Sequence, residues 1–218
     1  MIDNFETLLN SNILEFTPNT YYKLACLVRQ KDFPDSKSPW LKEGRREMCA
    51  KQWLVQSKEE ILELKDNMIQ TCNLYNGRLY LCLDRRDLKK SWMRIRDRAN
   101  QVIDQIAFSD DWHGSAKQFN RLLNSVTSEE EISDHKGKHY LLDCDTKDLN
   151  LIYEILNHNL GFLELKNLLI LETVNGYHAI MEKRFDISKL GNILPSCIEI
   201  KKNAMTLIYY GGSNENSN

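Results

Sequence analysis

The order of apolar and amphipathic segments predicts an α+β fold. Strand-like and helix-like segments follow one another as βαβα in the first half, and as β-α-β-β with a terminal β-hairpin in the second half. The first half is therefore α/β-like. A further observation is Asn-Gly at 175–176 between two apolar runs, because this pair favours a type I′ hairpin turn with positive φ at both positions.

The length of 218 residues allows one substantial domain or two small ones. We expect a single domain over residues 1–210, with an N-terminal subdomain over about 1–135 and a second subdomain over about 136–210 that carries the site. The sequence GGSNENSN at 211–218 is typical of a disordered tail.

The composition, 42% hydrophobic and 28% charged, is that of a soluble globular protein. No apolar stretch has the length needed to span a membrane, and the polar start MIDNFETLLN is not typical of a secretory signal. The six cysteines lack metal-type spacing, which favours free thiols in a reducing cytoplasm. A net charge of −2 argues against a basic surface over the whole chain.

The elements of the first half begin with a short helix over 2–10 and a strand over 20–30 that is rich in aromatic and aliphatic residues. Prolines, glycine and many charges between Lys31 and Glu47 predict a loop. A short strand is expected over 52–55.

A helix is predicted next, because Ser57 and Glu60 have capping-box spacing. Asn76-Gly77 ends this helix, and a strand follows over 78–83. The helix has one apolar stripe at helical spacing, formed by Ile61, Leu64, Met68, Ile69 and Cys72.

A second, basic helix is expected over 86–107. Seven basic and two acidic residues lie between Arg85 and Arg98, with Trp92 among them. The segment is either a phosphate-facing patch or a solvated helix face, and the spread of its charges around the helix weakens the first interpretation. The candidate nucleic-acid contacts are Arg85, Arg86, Lys89, Lys90 and Arg94.

Residues 108–137 are polar and irregular, with one helix expected at about 115–125. A strand that ends at Asp143 and Asp145, a helix over 147–159 and the hairpin at 175–176 follow. The last element is a strand pair over 197–210 with its turn at 202–204.

Asp143 and Asp145 are the strongest candidates for chemistry, because residues i and i+2 of a strand point to the same face. Asp145 is equally suited to cap the helix that starts near Lys147. His178 follows the hairpin turn, and a lone histidine there is more often structural than a ligand. Together, two carboxylates and an imidazole suit a divalent metal that holds a phosphate.

Two segments resemble motifs of a known family. YLLDCD at 140–145 and TVNGYH at 173–178 are similar to motifs I and II of the archaeo-eukaryotic primase superfamily, the primase-polymerases. In that family, motif I is an hhhDxD/E strand that binds divalent metal, and the histidine of motif II contacts the phosphates of the incoming nucleotide. NGRLYLCLDRR, which begins at Asn76, resembles the first βα part of small stand-alone phage members. In place of a plain Ser-x-His, Thr173 and Asn175-Gly176 precede the histidine.

The resemblance implies a single compact primase-polymerase-type core with an RRM-like β-α-β-β catalytic part. It implies Mg²⁺ or Mn²⁺ held by Asp143 and Asp145, with Glu199 as the best third acid and Asp186 as the runner-up. It also implies single-stranded DNA, nucleoside triphosphates and replication proteins as partners, in a bacterial host cytoplasm if the source is a phage. The catalytic candidates are Asp143, Asp145, His178 and Glu199, and the phosphate-binding candidates are Thr173, Asn175, His178, Lys201 and Lys202.

The leading hypothesis is therefore a metal-dependent nucleotidyltransferase that acts on single-stranded DNA in replication. One alternative is a catalytically inactive primase-fold protein that binds nucleic acid. Another is a metal-dependent nuclease or phosphoesterase, which would be favoured if His113, His135 or His139 lay near His178.

Overall fold

The computed structural model describes residues 1–33, 37–108, 112–134, 138–159, 168–182, 190 and 194–212. The described residues form ten β-strands and five α-helices around two antiparallel sheets, which confirms the α+β class. Within them, every helix is too short or too polar to cross a membrane.

The strands are β1 (Ile2–Asp3), β2 (Thr20–Arg29), β3 (Glu47–Val55), β4 (Arg78–Cys82), β5 (Arg86–Asp87), β6 (His139–Cys144), β7 (Leu169–Glu172), β8 (Tyr177–Glu182), β9 (Ile198–Lys202) and β10 (Met205–Tyr210). The helices are α1 (Phe5–Asn10), α2 (Lys58–Tyr75), α3 (Leu88–Phe108), α4 (Trp112–Val126) and α5 (Leu149–Asn159). Two 3₁₀ turns lie at Gln30–Asp32 and Glu130–Ile132. Strand β3 starts earlier than expected, and the predicted helices over 2–10 and 86–107 each begin with a two-residue strand.

The first sheet has the strand order β1-β10-β4-β2-β3, and β5 also pairs with β2. Strands β3 and β4 both run antiparallel to β2, so they are parallel to each other and are joined by α2. The βαβ connection expected in the first half is present. Its sheet is nevertheless not a parallel α/β sheet, because β2 is inserted between the two parallel strands.

Helix α2 follows the predicted capping pattern. The Glu60 amide donates to Ser57 Oγ at 3.0 Å, and Glu60 Oε2 accepts the Gln56 amide at 2.7 Å. At the other end, Asn76 is left-handed with φ of 46°, and the Gly77 amide donates to the Cys72 carbonyl at 2.8 Å. The main core cluster joins the buried face of α2 to side chains of both sheets.

The second sheet has the strand order β7-β8-β6-β9. Strands β6 and β7 both run antiparallel to β8, so α5 links two parallel strands with β8 between them, which is a split β-α-β unit. One face packs on α5 through Leu142, Cys144 and Ala179. The other face contributes Leu141 and Ile180 to the main core. The two faces of β6 thus serve different neighbours.

The predicted hairpin at 175–176 forms, but its turn is not type I′. The loop comprises residues 173–176, and neither Asn175 nor Gly176 is among the described residues with positive φ. The Thr173 amide donates to the Gly176 carbonyl at 2.8 Å, and the Gly176 amide donates to Thr173 Oγ1 at 3.1 Å. The side-chain hydrogen bond of Thr173 closes the four-residue loop in place of a tight turn.

The predicted C-terminal hairpin is wrong, because β9 and β10 join different sheets. Strand β9 pairs with β6, whereas β10 lies between β1 and β4. The chain crosses between the sheets at Asn203, which is left-handed with φ of 51°, and the Leu83 amide donates to the Ala204 carbonyl at 3.0 Å. Residues 136–210 therefore do not all belong to the second sheet, because the last strand, β10, returns to the first sheet.

Candidate functional site

A row of four side chains runs across the second sheet, perpendicular to its strands. In the strand register, Leu171 is opposite His178, His178 is opposite Asp143, and Asp143 is opposite Glu199. Directly opposite residues of antiparallel strands share a face, with Cβ atoms roughly 4.5–5.5 Å apart. Strand pairing therefore places the Asp143 carboxylate between the imidazole of His178 and the carboxylate of Glu199.

Asp143 is the electrostatic centre of this row. Its Oδ1 lies 3.4 Å from His178 Nε2, and its Oδ2 accepts a hydrogen bond from Lys201 Nζ. The hydrogen bond from His178, followed by the one from Lys201, holds the pKa of Asp143 well below its usual value of 3.8, although partial burial acts in the opposite direction. Lys201 Nζ also lies 3.5 Å from Glu199 Oε2. Asp143 is therefore an anion that is held by two donors.

His178 is held from the first sheet. Its Nδ1 lies 3.0 Å from Thr206 Oγ1 and accepts the Leu207 amide at 3.4 Å, and both partners belong to β10. Because a backbone N–H can only donate, the hydrogen-bond network assigns the proton of a neutral imidazole to Nε2, the atom that faces Asp143. Strand β10 thus orients the imidazole, an interaction that the predicted β9–β10 hairpin would not have supplied.

Asp145 lies just past β6 and is exposed at the same cleft as Asp143. Its backbone amide donates to the Cys197 carbonyl at 2.8 Å. Asp145 does not cap the next helix, since α5 begins at Leu149 and Asp148 Oδ1 accepts the amides of Asn150 and Leu151 at 3.1 and 3.2 Å. Its carboxylate is therefore not engaged in capping α5.

The row faces a cleft of about 560 Å³ that lies between the two sheets. The first sheet and the 3₁₀ turn that follows β2 contribute three basic residues to the lining, Arg29, Lys31 and Arg78. Arg29 is fixed by Glu47 at 2.5 Å and by the Tyr80 hydroxyl at 2.9 Å. The cleft is thus lined by carboxylates, a histidine and two lysines on the side of the second sheet, and by three basic residues and Glu47 on the other.

Sequence reasoning missed this cationic side. Arg29 ends β2 and Arg78 begins β4, so both stand where strand ends meet loops. The Arg78 guanidinium is buried in an ion pair with Asp32 and lies 4.9 Å from the Tyr210 ring centroid. No local pattern indicates that these strand ends face Asp143, because that depends on how the two sheets pack.

The four predicted phosphate contacts other than His178 all line the cleft. Asn175 and Lys202 are exposed, and Lys201 is partly exposed. Thr173 is buried, and its hydroxyl oxygen already accepts the Gly176 amide. The structure therefore brings together Thr173, Asn175, His178, Lys201 and Lys202, while the Thr173 hydroxyl mainly stabilises the hairpin loop.

The predicted basic stripe divides into structural and exposed residues, and none of its five residues lines the cleft. Arg85 is buried and pairs with Asp134 at 2.7 Å and Glu15 at 2.9 Å. Arg86 is buried and donates to the Glu129 carbonyl at 2.9 Å and to Ser133 Oγ at 2.5 Å. Arg94 pairs with Glu129 at 2.5 Å, whereas Lys89 and Lys90 are exposed on α3. Of the five residues of this stripe, the exposed Lys89 and Lys90 are therefore the best placed to contact nucleic acid.

The other predicted histidines do not add to the described site. His139 is buried at the start of β6, four residues before Asp143 and hence about 13 Å away along the strand. His113 lies in α4, but its side chain is outside the described residues, as are His135 and Asp186. His139 therefore does not supply the second imidazole that would favour a hydrolase.

The donor set fits a divalent ion in type, since Asp143, Asp145 and Glu199 offer carboxylate oxygens to one cleft. Over the described part of the chain, no group of three or more His, Cys, Asp or Glu side chains is gathered as metal ligands. The cation that Asp143 and Glu199 share is instead the Lys201 ammonium. A metal held by these residues would have to take the place of that ammonium.

No family model, no curated protein and no solved structure matches this chain.

The depressed pKa of Asp143 predicts a pH dependence of stability. A group whose pKa is lower in the folded state stabilises the fold above its unfolded pKa, here 3.8, and this contribution is lost as the pH falls towards the folded pKa. We expect the wild type to be more stable than Asp143→Asn at pH 7, and the difference to shrink as the pH falls from about 5 to about 2. Urea unfolding of both proteins across this range measures it, and a constant difference would contradict the prediction.

Proposed function

We propose that the protein is a metal-dependent nucleotidyltransferase of primase-polymerase type that extends a strand on a single-stranded DNA template. The observation that carries the proposal is the row of His178, Asp143 and Glu199 in a cleft whose opposite side carries three basic residues, Arg29, Lys31 and Arg78. Nucleotidyl transfer needs divalent ions held by carboxylates and positive groups for a triphosphate, and this cleft offers both types of group.

Six residues of the cleft have a role in the proposal. In the reaction a hydroxyl oxygen attacks the α-phosphorus, and the bond to pyrophosphate breaks. Asp143, Asp145 and Glu199 would hold Mg²⁺ or Mn²⁺, which stabilises charge on the attacking and leaving oxygens when it is bound. His178 Nε2–H, which faces Asp143 at 3.4 Å, would donate to a triphosphate oxygen once Asp143 holds the metal, and Lys201 and Lys202 would neutralise phosphate charge.

The topology of the second sheet supports the proposed RRM-like catalytic part. Strands β6, β7, β8 and β9 stand in the order β7-β8-β6-β9, with α5 on one face. A split β-α-β unit with a four-stranded antiparallel sheet is the arrangement of RRM-type folds. Asp143 lies on a central strand of this sheet, on the face opposite α5.

Arg29 provides a test of the cationic side of the cleft, which we assign to template phosphates. We expect Arg29→Ala to weaken binding of single-stranded DNA roughly fivefold and to reduce the slope of log affinity against log salt by about 0.7, the value for one phosphate contact. Fluorescence anisotropy at several salt concentrations measures both. Arg96→Ala is the control, since Arg96 is exposed on α3 and pairs with its neighbour Asp97. A slope that changes only in Arg96→Ala would place the DNA on α3 instead.

A second candidate function is a nucleic-acid-binding protein without catalysis. The observation that favours it is the Lys201 ammonium, which satisfies Asp143 and Glu199 without a metal. Such a protein would bind single-stranded DNA equally well in EDTA and in Mn²⁺, with a steep salt dependence, and would not extend a primer.

The test of the proposal is primer extension and de novo synthesis on single-stranded DNA with Mn²⁺ or Mg²⁺. Metal-dependent incorporation by the folded wild type supports the nucleotidyltransferase. DNA binding without incorporation would select the binding protein, and a degradation ladder in the same gel would select a hydrolase.

A further inference from the structure

We propose that Lys201 is an internal counter-cation, whose ammonium lies between Asp143 and Glu199 until a divalent ion displaces it towards the substrate phosphates. The proposal rests on the metal-dependent function proposed above and concerns the regulation of that same site. It assigns to Lys201 two successive partners, first the carboxylates and then the triphosphate.

The geometry places this ammonium where a metal would bind. Asp143 and Glu199 are directly opposite each other on β6 and β9. Lys201 follows Glu199 by two residues on the same strand, so its side chain is on the same face. Its Nζ hydrogen-bonds Asp143 Oδ2 and lies 3.5 Å from Glu199 Oε2. One cation thus bridges the two acids that the row brings together.

Electrostatics make the ammonium and the metal mutually exclusive. Two carboxylates on one row repel each other, and a single ammonium compensates only part of their charge. A divalent ion carries twice that charge and binds carboxylate oxygens directly, but it would be repelled by an ammonium that remained within about 4 Å. Metal binding therefore requires Lys201 to leave Asp143.

The Lys201 side chain is able to move, and the candidate phosphate-binding residues lie in the same cleft. Its side chain is 40% exposed, so it can move into the cleft without repacking the core. The same cleft is lined by Asn175, His178 and Lys202, the candidate phosphate contacts. A flexible four-carbon stem allows an ammonium to move between such partners, whereas the buried Arg78 is held by Asp32.

The test measures the binding of Mn²⁺ to the full chain at one pH and without nucleotide. The electron paramagnetic resonance signal of free Mn²⁺ reports how much of the ion remains unbound. We expect Lys201→Met to bind Mn²⁺ roughly tenfold more tightly than the wild type, because the competing cation is absent. Lys201→Arg should bind like the wild type. Lys202→Met, which removes an equal charge from the adjacent residue, should change the affinity less than about twofold. Asp143→Ala identifies the site, since it should abolish this binding in every background.

The outcomes separate this inference from the proposed function. Tighter binding in Lys201→Met alone supports the counter-cation. Asp143-dependent binding that is equal in the wild type and Lys201→Met, or equally raised in Lys202→Met, overturns the counter-cation and leaves the metal-dependent function in place. Absence of Asp143-dependent binding in all variants overturns both. A thermal unfolding scan of each variant confirms that the folded protein is compared.

Discussion

Asp143→Ala should abolish metal-dependent nucleotide incorporation, with a loss of at least about a thousandfold in rate. Charge stabilisation by a bound metal is worth several kcal/mol, and each 1.36 kcal/mol corresponds to a factor of ten. Asp143 is the residue of the row that contacts both His178 and Lys201, so its removal also leaves those two groups without their shared anion. The measurement is single-turnover primer extension with Mn²⁺.

Matched variants separate chemistry from folding in this experiment. Asp143→Asn keeps the size of the side chain but not its charge and should lose activity to a similar extent. Asp148→Asn is the control, because Asp148 lies in the same loop but caps α5 and is not part of the cleft lining. It should retain incorporation close to the wild type, since asparagine also caps helices. Full activity in a folded Asp143→Ala protein would refute the assignment of the site.

Gly176→Ala should destabilise the protein by about 4 kcal/mol or more, one of the largest effects expected of a single substitution. A Cβ at this position would lie 2.0 Å from the Cys144 carbonyl oxygen, 2.6 Å from the Thr146 carbonyl oxygen and 2.7 Å from the Thr146 nitrogen. These are backbone atoms, so the hairpin loop and the segment after β6 must separate. Because that segment carries Asp145, we expect activity to fall as well.

Thermal and urea unfolding measure this effect. At roughly 2–4 °C per kcal/mol for a chain of this size, the midpoint of thermal unfolding should fall by roughly 10 °C. Gly44→Ala is the control, because Gly44 has φ of +77° but nothing within 4 Å of its added Cβ. It should cost only the left-handed backbone strain, about 1–2 kcal/mol. Equal destabilisation by the two substitutions would show that the close approach of Cys144 and Thr146 does not cause the loss of stability in Gly176→Ala.

At Gly176 the sequence pattern predicted the correct position of the hairpin but the wrong physical reason for the glycine. Asn-Gly predicted a hairpin between β7 and β8, and the hairpin forms there. The predicted reason was positive φ, whereas the glycine is required because the backbone of another segment passes too close for a side chain. Local sequence encodes the likelihood of a turn, but it holds no information about which distant backbone will pass beside it.

The sequence by itself determined the elements whose signals are local. The capping residues and the apolar stripe specified α2. The apolar run before Asp143 predicted the strand β6, and the Asn-Gly pair predicted the hairpin that brings His178 onto the neighbouring strand. Glu199, the best candidate for the third acid, lies directly opposite Asp143, a placement consistent with that choice. The predictions of α2, of the strand before Asp143 and of the position of the hairpin succeeded because periodicity, capping and turn chemistry act over a few residues.

Only the tertiary structure decided which strands pair and which surfaces meet. The segment 197–210 has the pattern of a hairpin, yet its two strands pair in separate sheets, and this division places Thr206 against His178. The same packing brings Arg29 into the cleft that the carboxylates line, and it buries Arg85 in ion pairs. Pairing and burial depend on partners that are distant in the chain, so a local pattern constrains them weakly.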